Sequence, residues 1–243
     1  MRLSTWQRTL ALAVLVAGLL ETAAAQNMGW STITPSIAGT DTLGLVLREQ
    51  MQQQQRGQRG SPDEQTLAQT TSLRFTPSEA RRQQNLAAFV AKTRSVDPEN
   101  ADGLARLFAS GDVIEKVAPM IRPMGLRIDD LGDTYALWWM SAWNATQGLN
   151  PSPSRETAQA VRAQAGRALA ATPSIARANE AAKQEFAEAL LVQVMFIDAA
   201  VEHNRNSPPQ LRALAKAIQQ GAGRMGLDLS AMKLTEAGFV PAR

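Results

Sequence analysis

Residues 183–203 read Lys-Gln-Glu-Phe-Ala-Glu-Ala-Leu-Leu-Val-Gln-Val-Met-Phe-Ile-Asp-Ala-Ala-Val-Glu-His. Phe186, Leu190, Val194, Ile197 and Val201 recur at steps of three and four, which is the period of one helical face. Leu191, Met195 and Phe196 widen the stripe well beyond a surface seam. A helix apolar over so much of its circumference must be covered on several sides, so this segment, predicted from about Ser174 to Asn204, becomes the centre of an all-α domain.

The segments on either side support that reading through helix start signals. Thr76-Pro77-Ser78-Glu79 is a capping box leading into Leu86, Phe89 and Val90. Asp97-Pro98-Glu99 repeats the device before Leu104, Leu107 and Phe108, and Asp112 precedes Val113, Ile114 and Val117. Pro119 and Pro123 break or kink that third segment. Asp129 or Asp130 opens a helix through Leu131, Tyr135, Trp138, Trp139 and Trp143 that ends at Gly148. Ser154 opens a fifth, closed at Thr172-Pro173, and Ser207-Pro208-Pro209 caps one through Leu211, Leu214 and Ile218. No stretch shows the strict alternation of a half-buried strand. The prediction is one bundle-like domain of six to eight helices over residues 75–243, about 165 residues and large enough to bury a core without cross-links.

Upstream the texture is different. Arg2 and Arg8 precede an uncharged apolar run from Thr9 to Leu20, followed by Glu21-Thr22-Ala23-Ala24-Ala25 and Gln26. Basic end, apolar middle and small residues at the −3 and −1 positions form a signal peptide over residues 1–25, cut between Ala25 and Gln26. The apolar run falls short of the roughly 20 residues a spanning helix needs. No permanent membrane span is therefore expected once the signal is removed. Cysteine is absent, so neither a disulfide nor a lipid-bearing cysteine is available, and the expected location is the periplasm or the medium, not as a lipoprotein. Residues 26–74 are rich in Gln, Gly, Ser and Thr, with Gln52-Gln53-Gln54-Gln55 at their centre, and read as a flexible tether. Within it Asp41 caps a possible short helix bearing Leu43, Leu45, Val46 and Leu47.

Charge excludes one large class of function. Loss of Arg2, Arg8 and Glu21 with the signal takes the formal net charge from +3 to +2. Arg81-Arg82 is the only adjacent basic pair, so neither a nucleic-acid nor a membrane-surface footprint of clustered cations is expected.

Catalytic and metal chemistry fare no better. His203 is the only histidine, so neither a zinc site nor a di-iron Glu-x-x-His pair can be assembled, and no metal or cofactor is expected. Asp97 to Phe108 resembles a calcium loop but places Ala101 at its fifth position, Asp102 at its sixth and Phe108 at its twelfth. Serine hydrolysis lacks a Gly-x-Ser-x-Gly elbow. His203, beside Glu202 and Asn204 at the end of the long helix, suits the negative end of the helix dipole. Asn144-Ala145-Thr146 matches a glycosylation pattern inside a predicted helix and is read as chance.

Two features retain functional interest. Tyr135, Trp139 and Trp143 share one face of their helix, and Leu131, Trp138 and Ala142 form the adjoining one. Their indoles need polar partners if enclosed, for which Gln164, Gln184 and Gln193 are in reach of neighbouring helices. If open, Tyr135, Trp138, Trp139 and Trp143 with Asp133 line a groove for a partner or a small apolar ligand. The second feature is the set of carboxylates Asp129, Asp130, Asp133, Glu180, Glu185 and Glu188, the candidates for a carboxylate-dependent hydrolase of the cell envelope. Neither the Glu-Ser pair nor the Gly-Leu-Met-Gln stretch of lytic transglycosylases is present.

Arg82-Gln83-Gln84-Asn85-Leu86-Ala87-Ala88-Phe89-Val90, the tryptophan helix and residues 183–193 together resemble an uncharacterised family of exported bacterial all-helical proteins, from about Phe75 to Phe239. That resemblance implies export and fold, and it brings no functional residues with it. The expectation is an exported, non-enzymatic interaction or accessory module of a bacterial envelope, with an envelope protein or a small ligand as partner.

Overall fold

A computed structural model describes residues 72–96 and 98–242, together with the single residue Gln52. The signal with its cut between Ala25 and Gln26, most of the Gln-rich stretch, the segment led by Asp41 and the proposed cap Asp97 lie outside the described residues.

The described chain is helical almost throughout. Helices α1 (Glu79–Val96), α2 (Pro98–Ala109) and α3 (Val113–Ile121) lead through a 3-10 turn (Arg122–Met124) to α4 (Leu131–Thr146). Then follow α5 (Arg155–Ala171), the single turn α6 (Pro173–Ala176), α7 (Glu180–His203) and α8 (Pro208–Arg224). A second 3-10 turn (Leu229–Ala231) precedes two short strands, β1 (Met232–Thr235) and β2 (Gly238–Pro241).

Most helix starts are made by the residues expected to make them. Asp112 accepts from the Glu115 amide, Asp130 from those of Gly132 and Asp133, and Ser154 from that of Thr157. Each satisfies amides that the first turn leaves without a partner. Three starts differ. Helix α1 begins at Glu79, not Pro77, and Ser78 serves as its cap by accepting from the Arg81 amide at 3.3 Å. Ser207 precedes α8 without any side-chain capping bond. The long predicted helix divides, because Asn179 accepts from the Ala182 amide at 2.9 Å and starts α7 afresh after α6.

The two strands are absent from the sequence reading. They pair antiparallel, with Leu234 opposite Phe239 and Thr235 opposite Gly238. Four residues are too few for alternation to register as a pattern.

Helix α7 lies along α4; α5 and α8 pack on α4, and α1 and α8 pack on α7. From Leu131 to Ala142 every residue of α4 is buried, and α7 buries Phe186, Leu190, Leu191 and Ile197. The chain enters this core just ahead of α1. Phe75 donates its amide to Asp129 O at 3.1 Å and Leu131 donates to Leu73 O at 3.0 Å, so residues 73–75 lie against the segment that opens α4. Among the described residues no helix is long and apolar enough to cross a membrane.

Candidate functional site

The start of α4 gathers the acidic candidates. Asp130 is committed to capping, with its Oδ1 2.9 Å from the Gly132 amide. Asp129 takes both Nε and Nη2 of Arg127, at 2.8 and 2.7 Å, in a two-pronged pair, and Arg74 approaches it at 3.4 Å. The hydrogen bond from Arg127 holds the Asp129 carboxyl below its ordinary range.

Asp133 sits in the first turn of the helix with its side chain 2% exposed. Its Oδ2 accepts the Arg127 amide at 2.9 Å, and its Oδ1 is paired with Arg162 Nε. Arg162 also reaches Asp130 at 3.6 Å. Burial, followed by the charge of Asp130, pushes the Asp133 carboxyl up to about 6, although Arg162 opposes the shift. Such a group can hold or release a proton near neutrality. Both its oxygens, however, are already occupied by groups of the protein itself.

Glu188 lies at the junction of α1 and α7 and is 1% exposed. It accepts Arg82 Nε at 2.9 Å, Asn85 Nδ2 at 2.6 Å and Gln184 Nε2 at 2.8 Å. Arg82 continues to Glu115 at 3.1 Å and to Asp112, the cap of α3. A single buried guanidinium thus binds α1, α3 and α7 together. Glu180 is exposed in the first turn of α7 and Glu185 is half-buried.

The tryptophan helix is enclosed. Tyr135, Trp138 and Trp139 are fully buried, and Trp143 is partly so. Trp138 Nε1 donates to Gln193 at 2.6 Å, the one indole partner among the three glutamines considered. Trp139 donates to the Met232 sulfur and Trp143 to the Met232 carbonyl, each at 3.0 Å. The hairpin therefore supplies what Gln164 and Gln184 were expected to give. Gln184 instead bonds the backbone of Ser78 through both its oxygen and its nitrogen. Gln164 does the same to Phe239. Phe239 stacks on Trp139 with ring centres 4.2 Å apart, while Tyr135 packs against Trp138 at 5.4 Å.

Other placements are simpler. His203 is exposed in the last turn of α7, where a cation meets the helix dipole favourably. Asn144 is buried within α4, and the hydroxyl of Thr146 donates to the Trp143 carbonyl, so the glycosylation pattern is not displayed on an open loop.

The arginines that neutralise these carboxylates were not anticipated from the sequence. Arg162 lies 29 residues from Asp133 and Arg82 lies 106 from Glu188, and no local spacing rule connects such pairs. Asp198 was also missed. On α7 it accepts the Ser141 hydroxyl at 2.6 Å, and although it retains some exposure, burial of its carboxyl raises it to about 6.

These features define an all-helical domain in which polar clusters brace helix ends and a C-terminal hairpin closes over an aromatic core. The chain belongs to DUF6683, a family of unknown function, whose model matches residues 4–241. The match begins well upstream of Phe75, so membership reaches across the Gln-rich stretch, which the likeness quoted above did not cover. No curated protein and no solved structure matches the chain.

Proposed function

We propose that the chain is an exported accessory module of a bacterial envelope that works by binding a partner rather than by chemistry. One observation carries this reading: the carboxylates beside the aromatic helix are engaged in holding the fold, Asp130 as a cap, Asp129 with Arg127, Asp133 with Arg162 and Glu188 with Arg82. Export is supported by the order of residues 1–25, with Arg2 and Arg8, the apolar run and Ala23-x-Ala25. The enclosure of Trp138 and Trp139, with Phe239 stacked on the latter, argues against an apolar-ligand carrier built on those rings.

The test has two parts. Intact mass of the chain from a periplasmic fraction should begin at Gln26, and affinity capture from envelope extracts should enrich a partner above background. Recovery of nothing, combined with degradation of an envelope substrate by purified chain, would sink the proposal.

A second reading, a carboxylate-dependent envelope hydrolase, is favoured by one observation alone, the Asp133 carboxyl raised to about 6. It requires that wild type clear a peptidoglycan zymogram and that Asp133→Asn and Glu188→Gln abolish the clearing.

A further inference from the structure

Residues 203–227 contain no Asp or Glu. Within them α8 turns one face inward through Leu214, Ile218 and Ala222 and leaves Arg212, Lys216, Gln220 and Arg224 exposed. These four follow one another at steps of four, so residues that look scattered in the sequence form one stripe about 18 Å long on a helix. Arg212 and Lys216 lie about 6 Å apart along the axis, inside a screening length of roughly 8–10 Å, so their potentials reinforce one another, while Arg224 follows about 12 Å beyond Lys216, across the neutral Gln220. None of the three cations makes an ion pair among the described residues, whereas Arg74, Arg82, Arg94, Arg127, Arg162 and Arg205 each face a carboxylate.

A second observation falls beside the first turn of the same helix. Leu149 is 56% exposed, an unusual state for a large apolar side chain in this structure. The preceding Gly148 lies against Leu211, whose Cδ1 is 3.5 Å from where a Cβ on Gly148 would stand. The loop carrying Leu149 and the start of the basic stripe are therefore adjacent.

We propose that this face is a docking surface for an anionic phospholipid membrane, on which the chain rests peripherally and reversibly. Cations beside an exposed leucine match the two layers of a bilayer surface, phosphate headgroups for the former and the acyl boundary for the latter. An acidic polypeptide would use the charges but give Leu149 no role. Each cation near an anionic lipid surface strengthens attachment roughly fivefold, so three give a weak, salt-sensitive association.

The proposal rests on the envelope setting proposed above, yet the two fail separately, since processing at Gln26 is read by mass and docking by vesicle binding. The experiment is co-sedimentation of the chain beginning at Gln26, which lacks the apolar run of residues 9–20, with vesicles of phosphatidylglycerol and phosphatidylcholine or of phosphatidylcholine alone. Expected are binding to the anionic vesicles only, release by salt, at least about tenfold weaker binding of R212E/K216E/R224E, and a smaller loss for Leu149→Ser. Circular dichroism and melting check that each variant folds, and R212Q/K216Q/R224Q replaces the reversal variant if that one does not. Equal sedimentation with both vesicle types, or undiminished binding by the folded triple variant, overturns the proposal. So does displacement from anionic vesicles by polyglutamate at a concentration where chloride of equal ionic strength has no effect, which would assign the face to an acidic polypeptide.

Discussion

Gln164 shows how one side chain can stand in for a strand. Its Oε1 accepts the Phe239 amide at 2.8 Å and its Nε2 donates to the Phe239 carbonyl at 2.7 Å, so the outer edge of β2 is satisfied by a helix side chain. The fit leaves no room at the neighbouring residue. Gly238 has φ +94°, and a Cβ there would lie 2.5 Å from Gln164 Oε1. Gly238→Ala is therefore expected to cost about 2–4 kcal/mol, from strain in a left-handed conformation together with loss of the amide clamp. Denaturant unfolding measures this, and an unchanged midpoint would refute the clamp. Tyr135 predicts the opposite sign. Its hydroxyl is buried with no hydrogen-bond partner among the described residues, so burial of that group is uncompensated. Tyr135→Phe should be neutral or stabilising by up to about 2 kcal/mol in the same measurement, and a loss above about 1 kcal/mol would mean the hydroxyl has a partner.

At the scale of elements, what could be read from sequence is what is encoded locally. Asp112, Asp130 and Ser154 announce their helices because a cap and the amides it serves lie within three residues. The apolar stripe of α7 is legible for the same reason, since its period is internal to one segment. The hairpin was not legible, because Met232 and Phe239 owe their burial to Trp139 and Trp143 rather than to any pattern of their own. The brace around Glu188 was likewise hidden. Glu188 looks like one more helix-surface carboxylate until α1 and α3 bring Arg82, Asn85 and Asp112 to it. Its energetics follow from burial. Glu188→Ala takes from the enclosed Arg82 its buried partner and leaves it only Asp112 and Glu115, which are more exposed; it should cost about 3 kcal/mol, whereas Arg82→Met combined with Glu188→Leu should recover much of that, since an apolar pair needs no solvation. If the double variant unfolds as easily as Glu188→Ala, the brace contributes through its wider hydrogen bonds to Asn85 and Gln184 and not through its ion pair.

Over the whole molecule two enclosed carboxylates, Asp133 and Asp198, bias stability toward mildly acidic conditions. Asp133 and Asp198 are each raised to about 6, by burial first, with Asp130's charge adding to the shift at Asp133. A carboxyl raised on folding binds its proton more tightly in the native state. Its contribution is fully present below the unfolded value near 4 and is lost as pH rises through about 6. Asp129 works in the other direction, because Arg127 lowers it, and the stability it contributes disappears only as pH falls below the ordinary carboxylate range. The two trends leave a maximum on the acidic side of neutrality. Going from about pH 7.5 to about pH 5 should add about 1 kcal/mol from each raised group, a rise in melting temperature of several degrees. Asp198→Asn removes one titrating group while keeping an oxygen to accept from Ser141. It should raise stability at neutral pH and flatten the profile between about pH 5 and pH 7.5. A melting temperature that climbs steadily from acid to neutral pH in the wild type, or an Asn variant with an unaltered profile, would show that these carboxyls ionise in the fold at no cost.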